Sequence, residues 1–279
     1  MGQAISPSER VATIRPYRGW EAFDFSELAA YRDLFYFLVR RDVKVLYAQT
    51  VLGFSWAVLN PLIQIGIFTV IFGYVANVPT DGISYVLFST VAIIPWTYMS
   101  EAMNTSSQSL VNEQGMLGKV YFPRVMYPMV PVFAKLVDFG ISLIILIPIL
   151  LYYQVTPTWN LLLLPGLIAM MIAIPAALGM WFSALAIRFR DVKFAMPFFI
   201  RMLIYSAPIL YTASSIPDAY RFWYSLNPLV GVIEGFRAAL LGGAIPWAFI
   251  LPGVVMTVVL LVSGAIYFRR MERVFVDVI

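Results

Sequence analysis

Three long runs without a charged residue constrain this 279-residue chain more than any other feature. The runs contain 36, 49 and 31 residues and lie between Lys44 and Asp81, between Asp138 and Arg188, and between Arg237 and Arg269. Each exceeds the roughly 20 residues that a helix needs to cross the hydrocarbon core of a bilayer. In lipid, backbone amides must be satisfied within the element, so only helices or closed barrels can span. Segments such as 143–151 are apolar at every position and lack the alternation of barrel strands, so the sequence predicts an all-α integral membrane protein.

The composition narrows the chemistry that this chain can perform. Only 12% of its residues are charged and 61% are hydrophobic, whereas soluble domains carry about 25% charged residues. Cysteine and histidine are both absent, which excludes disulfides, thiol nucleophiles, zinc sites built on those ligands and imidazole acid-base catalysis. No cleavable signal peptide is expected, because the first 55 residues are polar and basic and precede any apolar run.

The apolar segments predict six transmembrane helices. Their predicted bounds are 56–76, 83–103, 129–151, 161–187, 194–212 and 246–268, and the turn 152–160 divides the longest uncharged run. We therefore expect two regions, a cytoplasmic N-terminal segment (1–55) with an amphipathic interface helix and a six-span membrane domain (56–279).

The distribution of basic residues predicts the orientation. Fifteen of the 19 Lys and Arg residues fall on one face of this topology, so both termini are expected to be cytoplasmic. Within the predicted spans, Lys135 and Asp138 are three residues apart and are expected to pair. Arg201 is expected to extend toward the lipid headgroups.

A basic amphipathic helix precedes the first span. Asp24 and Glu27 form a start like a capping box. The predicted apolar stripe consists of Tyr36, Val39, Val43, Leu46 and Tyr47, and a different face carries Arg40, Arg41 and Lys44. This pattern is typical of a helix that lies along the inner membrane surface. Two interpretations have equal weight: the helix anchors the protein, or its three cations gather an anionic lipid-linked headgroup at a lateral entrance.

The segment between the fifth and sixth spans is too apolar for a solvated loop and too short for a crossing. Asn227-Pro228 and Gly242-Gly243 bracket an apolar helical piece of about 13 residues, which covers roughly 20 Å. We interpret 220–241 as two short re-entrant helices that form an outer gate, although a packed outer loop is the alternative. Glu234 and Arg237 are expected to pair there.

Two cytoplasmic loops are candidates for contact with another protein. The residues concerned are Arg188, Arg190 and Asp191 in the short loop 187–193, and Lys119 and Arg124 in the longer loop 104–128. Short basic loops also satisfy topology alone, which is the simpler reading. A nucleotide-binding loop is excluded around Lys119, because Val120 stands where Ser or Thr is required and Glu113 where the first glycine belongs.

Several motifs in one order resemble a known family. They are RDVKVLYAQTVLGFSWAVLNP at 41–61, FRDV at 189–192, SAPILY at 206–211, LNPL at 226–229 and EGFR at 234–237. Together they resemble the type-2 permeases of ATP-binding-cassette (ABC) exporters, and most of all the Wzm-type permeases that export lipid-linked O-antigen polysaccharide. The resemblance covers nearly the whole chain.

This resemblance implies a homodimer with two separate ABC ATPase subunits in the bacterial inner membrane and a channel along the dimer axis. It implies that Leu52-Gly53 turns the chain from the interface helix into the first span, near where an undecaprenyl-pyrophosphate headgroup is recognised. No cofactor is expected in this chain, since ATP and magnesium would bind to the partner ATPase. The same resemblance implies a transport subunit rather than an enzyme.

Aromatic side chains, which make up 16% of the chain, suit a sugar cargo because their rings pack against pyranose faces. The candidates for glycan contact are Tyr74, Tyr85, Trp96, Tyr98, Tyr205 and Tyr211. Each of them is more strongly expected to belong to an aromatic belt at the membrane interface or to pack between helices. Export of capsule, teichoic acid or a small amphiphile is the nearest competing function. If the chain were a membrane enzyme, its chemistry would depend on Glu101, Lys135, Asp138 and Arg201. The sequence contains no selectivity-filter motif of the kind that ion channels carry.

Overall fold

Helices dominate the fold. The computed structural model describes residues 29–48, 53–117 and 122–272, and within these ranges it contains no strand. The helices are α1 (Arg32–Tyr47), α2 (Ser55–Phe68), α3 (Tyr85–Asn112), α4 (Met126–Tyr152), α5 (Leu164–Arg188), α6 (Val192–Ser206), α7 (Asp218–Ser225), α8 (Pro228–Leu241) and α9 (Trp247–Glu272). A π-helical segment, Thr69–Val75, continues α2, and a 3-10 turn, Trp159–Leu163, leads into α5.

Four helical segments within the described ranges are long and apolar enough to cross a membrane: Ser55–Val75, Met126–Tyr152, Trp159–Arg188 and Trp247–Glu272. They coincide with four of the predicted spans to within a few residues. The turn predicted at 152–160 lies between α4 and the 3-10 turn. The second and fifth predicted spans, α3 and α6, differ from these four.

Helix α3 is the centre of the bundle and is more polar than its neighbours. It packs against α2, α4, α5, α6 and α8, and most of its residues are buried. Its hydroxyl groups are satisfied by backbone carbonyls: Ser106 donates to Pro128 O (2.6 Å) and Thr90 to Val86 O (2.6 Å). Because protein rather than lipid surrounds this helix, it tolerates serine and threonine, and its mean hydropathy falls accordingly.

The prediction for the fifth span was wrong in its outer boundary. Helix α6 ends at Ser206 rather than at 212, because Pro208 disfavours the helical conformation at Ala207, which is extended (ψ 154°). Its 15 residues rise about 22 Å.

The long helices alternate in direction between two ends of the bundle. At one end, which we call the basic end, Arg41 bonds to Glu113 beside the last residue of α3, and Arg124 before α4 donates to Glu272 O in α9 (2.9 Å). At the opposite end, Ser84 Oγ donates to Tyr153 (3.0 Å), and the loops after α2 and α6 also meet. This arrangement follows from short connections between antiparallel neighbours.

The two short helices predicted within 220–241 are confirmed as α7 and α8. Helix α8 is buried, and asparagine side chains close both its ends. Asn227 Oδ1 accepts from Leu229 N (3.1 Å), while Asn160 Nδ2 donates to the carbonyls of Ala238 (3.0 Å) and Gly243 (2.8 Å). The helix stops at Gly242, whose φ of +75° is the left-handed conformation that glycine adopts without strain.

Candidate functional site: a polar groove beneath the first helix

Helix α1 lies across α4 and packs through a face that overlaps the predicted apolar stripe only in part. Leu38 is buried and Leu34, Phe35 and Val39 pack with it, whereas Tyr36 is 68% exposed. Of the predicted stripe, Val39 therefore packs on the subunit and Tyr36 faces away from it, and the contact of the stripe with the membrane surface stays a prediction. Residues 34–39 are apolar at every position, so periodicity alone could not choose the face. The start predicted at Asp24 lies outside the described residues.

The three cations of α1 do not share a face, which corrects the expectation that one face carries Arg40, Arg41 and Lys44. Arg40 and Lys44 are exposed, whereas Arg41 turns inward and bonds to Asp42 (2.9 Å) and Glu113 (2.7 Å). Burial raises the pKa of Asp42 above its ordinary value, and the adjacent Arg41 guanidinium opposes part of that rise. Arg41 is thus neutralised within the protein, while Arg40 and Lys44 remain available to an anion.

A cavity of about 330 Å³ lies between α1, α3 and α4. One wall is formed by amides one turn apart on α3, Asn104, Gln108 and Asn112, and Gln108 Nε2 donates to Asn104 Oδ1 (3.1 Å). Helix α1 forms the facing wall with apolar side chains, such as Leu38 and Val45, and with the ion pair of Arg41 and Asp42. A cavity lined by amides, an ion pair and apolar side chains suits a ligand with both polar and apolar parts.

The polar α3 wall corrects the prediction for the loop at 104–128. Helix α3 continues to Asn112, so only about half of that segment connects α3 to α4. The polar residues of 104–112 reduce hydropathy and so suggested a loop. In the structure they face the cavity, which explains how a helix can carry them.

An ionic cluster lies along the floor of the groove. Lys135 Nζ, only 10% exposed in its side chain, is 3.1 Å from Glu101 Oε2 and 3.0 Å from Asp138 Oδ2. Tyr47 of α1 donates its hydroxyl to Asp138 Oδ1. The predicted pair of Lys135 and Asp138 is confirmed, and the structure adds Glu101 and Tyr47 from two further helices. Each carboxylate is engaged with the ammonium, so the cluster joins helices and offers no free acid-base pair.

A second cavity of about 130 Å³ extends the groove to the turn between α1 and α2. Gly53 and Trp56 line it together with Lys135, which borders both cavities. Gly53 has φ +46°, so a glycine permits the change of direction there, as predicted. Leu52 lies outside the described residues.

The candidate ATPase contacts are at the basic end. Arg188, Arg190 and Asp191 are exposed in the tight connection between α5 and α6, with the Arg188 guanidinium 5.3 Å from the centre of the Phe189 ring. Arg124 donates to the α9 carbonyl described above. Lys119 lies outside the described residues.

The candidate outer-gate residues lie at the opposite end of the bundle. The expected ion pair is confirmed: Arg237 Nη1 is 2.7 Å from Glu234 Oε1. The Arg237 guanidinium also lies 3.6 Å from the centre of the Phe88 ring in α3, which sequence reasoning missed because 149 positions separate the two residues. Asn227 and Pro228 begin α8, and Asn227 Nδ2 donates to Ser206 O (2.9 Å).

The six candidate glycan-contacting aromatics separate into two groups. Tyr85, Trp96 and Tyr98 are buried inside the subunit, where the tyrosine hydroxyls donate to Leu210 O and Val132 O, so these rings pack helices together. The accessible rings are Tyr74 (74% exposed) and Tyr205 (61% exposed), together with the half-buried Tyr211, which donates to Tyr205 O (3.0 Å).

Comparison with known proteins yields relatives that match nearly end to end. The O-antigen export system permease protein RfbA of Myxococcus xanthus is 28% identical over 253 residues, covering 88% of this chain and 96% of the relative. A protein of the same name from Klebsiella pneumoniae is 26% identical over 252 residues, covering 88% and 95%. The polysialic acid transport protein KpsM of Escherichia coli is 25% identical over 245 residues, covering 85% and 92%.

The profile of the ABC-2 type transporter family matches residues 33–241, a segment that runs from the start of α1 to the end of α8. This match covers most of the chain, including both the groove and the buried short helix. The chain belongs to the ABC-2 type transporter family.

Proposed function

We propose that this chain is the permease subunit of an ABC transporter that exports a lipid-linked O-antigen polysaccharide across the bacterial inner membrane. The observation that carries the proposal is the alignment with O-antigen export permeases over 88% of this chain and at least 95% of their own length. Such coverage leaves no additional domain in those relatives to account for their transport role.

The helical architecture supports six crossings with both termini in the cytoplasm. Four segments are apolar enough to span, and α3, with 28 residues, is long enough when protein shields it from lipid. The remaining crossing, the fifth along the chain, consists of α6 and the residues that follow it. The basic residues at 188–193 and 269–270 lie at the basic end, and the positive-inside rule supports a cytoplasmic location for this end.

The groove beneath α1 is the proposed entrance for the lipid-linked headgroup. Arg40 and Lys44 are exposed and attract a pyrophosphate, while Arg41 holds α1 in place through Glu113. The cavities between α1 and the spans lead from this basic surface to the turn at Gly53. Amides and apolar side chains there suit the sugar and lipid portions next to the phosphate.

Energy comes from a separate ABC ATPase, bound as two copies to a homodimer of this chain. The exposed residues Arg188, Arg190 and Asp191, with Lys119 and Arg124, are the proposed contacts. The connection between α5 and α6 has little slack, so a force on it acts directly on both helices. ATP and magnesium bind to the partner.

The outer gate is formed by α7 and α8, which dip into the membrane and return. Helix α8 is buried, whereas α7 exposes Tyr220, Phe222 and Trp223 as a membrane-interface helix does. Arg237, which is paired with Glu234 within α8, lies against the Phe88 ring and so holds α8 against α3. Tyr74, Tyr205 and Tyr211 are the accessible rings for the glycan as it leaves.

Co-purification tests the proposal directly. The chain is expressed with a candidate partner ABC ATPase, and an affinity tag is placed on the ATPase alone. We expect a stable complex with two copies of each subunit, and loss of that complex after Asp191→Arg with Arg188→Glu. A monodisperse monomer of this chain that ignores the ATPase would contradict the proposal.

Capsular polysaccharide is the second candidate cargo, because KpsM aligns over 85% of the chain. Deletion of the gene separates the two cargoes. Loss of the O-antigen ladder from surface lipopolysaccharide with capsule intact supports the first proposal, and the reverse result supports the second.

A further inference from the structure

Arg201 is a charged side chain that the fold leaves exposed within an apolar helix. It lies in α6, is exposed, and has no hydrogen bond or ion pair among the described residues. Two other basic residues within the bundle behave differently: Lys135 and Arg237 are buried and paired with carboxylates. Arg201 therefore has no counter-charge among residues 29–48, 53–117 and 122–272.

The depth of Arg201 along α6 argues against the expected extension to the headgroups. Arg201 lies nine positions after Val192, at the cytoplasmic start of α6, a rise of about 13 Å. This places it near the middle of a hydrocarbon core about 30 Å thick. Helical side chains point back toward the N-terminus, but the distance to that end exceeds the reach of one side chain. Facing lipid at this depth is costly for arginine, so its surroundings must contain water or an anion.

The same face of α6 carries aromatic rings on either side of Arg201. Phe194, Phe198, Arg201 and Tyr205 are spaced by four, three and four residues, which aligns them along one face. The three rings are 76%, 65% and 61% exposed. A guanidinium between exposed rings presents a bidentate donor for phosphate and apolar surfaces for sugar rings.

We propose that this face of α6 borders a water-filled path and that Arg201 binds a phosphate group of the cargo as it passes. The inference rests on the proposed function, since the anion is taken to be the phosphate that links lipid to glycan. It adds one specific binding residue, at mid-depth and distant from the groove beneath α1.

Cysteine labelling tests the water-filled path without requiring transport, because the natural chain contains no cysteine. Met202→Cys, at an exposed position next to Arg201, reports on this side of α6, and Val258→Cys, exposed near mid-depth of α9, is the matched control on another helix. The full chain with its ATPase is treated in membrane vesicles, with and without ATP, with a membrane-impermeant charged thiosulfonate. We expect Met202→Cys to react in at least one state and Val258→Cys in neither. Equal silence of both, or equal reaction, overturns the path.

The charge of the reagent tests the anion site. With Arg201 present, a negatively charged thiosulfonate is expected to react with Met202→Cys about fivefold faster, relative to a positively charged one, than in the Arg201→Gln background. Arg201→Lys is expected to retain most of this preference. An unchanged ratio in Arg201→Gln overturns the anion site even if the path is confirmed.

Export in cells then links the site to the cargo. Arg201→Gln is expected to reduce surface polysaccharide at least fivefold while the amount of protein and its complex with the ATPase stay normal. If the chain exports nothing at all, the proposed function fails but the labelling results still stand. If wild-type export is normal and Arg201→Gln matches it, the role of Arg201 in export is overturned.

Discussion

At the scale of single residues, the polar contacts of the groove converge on Lys135. Its ammonium contacts Glu101 of α3 and Asp138 of its own helix, and Tyr47 of α1 reaches the same aspartate. One buried cation thus connects α1, α3 and α4. Removing a partner from such a cluster leaves charges without compensation, which costs more than the pair itself contributes.

Lys135→Met is expected to destabilise the protein by about 1.5–3 kcal/mol, toward the lower value because Glu101 is 49% exposed and water replaces part of the lost interaction. The apparent melting temperature in detergent, followed by size-exclusion chromatography after heating, measures this loss. Lys193→Met, at an exposed position in α6, is the matched control and should leave the apparent melting temperature unchanged. Adding Asp138→Asn to Lys135→Met should recover part of the loss, and a further drop would contradict the account.

Sequence reasoning found those residue contacts that are close along the chain. The pairs Lys135 with Asp138 and Glu234 with Arg237 are three residues apart on one helix face, and helix geometry alone predicts them. Glu101 and Tyr47 are 34 and 88 positions from Lys135, and Phe88 is still farther from Arg237. Such contacts depend on how helices pack, which periodicity does not specify.

At the scale of helices, the sequence predictions failed at the end of α3 and at the end of α6. A hydropathy pattern treats every span as surrounded by lipid, so the polar residues of 104–112 suggested a loop. In the structure they belong to the central helix α3, and several of them line a cavity. The fifth span was predicted to extend beyond Ser206 because the effect of Pro208 on the conformation of the preceding residue was not taken into account.

Gly231→Ala is expected to be more damaging than Gly235→Ala. A Cβ at 231 would lie 2.8 Å from the backbone oxygen of Phe249 in α9, which cannot move without displacing the helix. At 235 the nearest atom, at 2.5 Å, is a terminal methyl of Leu167, which can change rotamer. Yield of folded protein after detergent extraction measures the difference, with Gly140→Ala, which meets nothing within 4 Å, as the neutral control. Equal yields for the variants at 231 and 235 would contradict the close packing of α8 on α9.

The docking of α1 onto the end of α3 can be tested by exchanging charges. Arg41→Glu and Glu113→Arg each place like charges together across the 2.7 Å contact and are expected to reduce export severalfold. The effect on stability should be small, about 0.2–1 kcal/mol, since both side chains are about a third exposed. The double variant restores an opposite pair and should recover most of the export. No recovery would mean that the pair does not position α1.

At the scale of the whole molecule, export requires that the two ends of the bundle lie on opposite sides of the membrane. The basic end contains the connection between α5 and α6, and the opposite end contains the loop before α7. The family, the helical class and four of the spans follow from hydropathy and motif order. The cavities depend on packing between helices and could be found only in three dimensions.

Orientation is checked by labelling single cysteines with an impermeant maleimide. Ser215→Cys, exposed before α7, is expected to react in intact spheroplasts, and Asp191→Cys only after permeabilisation. The unsubstituted chain, which has no cysteine, provides the blank. The reverse pattern would invert the topology and remove the groove from the cytoplasmic side.

The most direct test of the central claim is the location of the polysaccharide in cells that lack this chain. We predict that deletion leaves lipid-linked polysaccharide on the cytoplasmic side of the inner membrane. Wild-type chain should restore surface polysaccharide only together with an ATPase able to hydrolyse ATP. Polysaccharide that reaches the surface without the chain, or with the chain and an inactive ATPase, would contradict the claim that this protein is an ATPase-driven conduit.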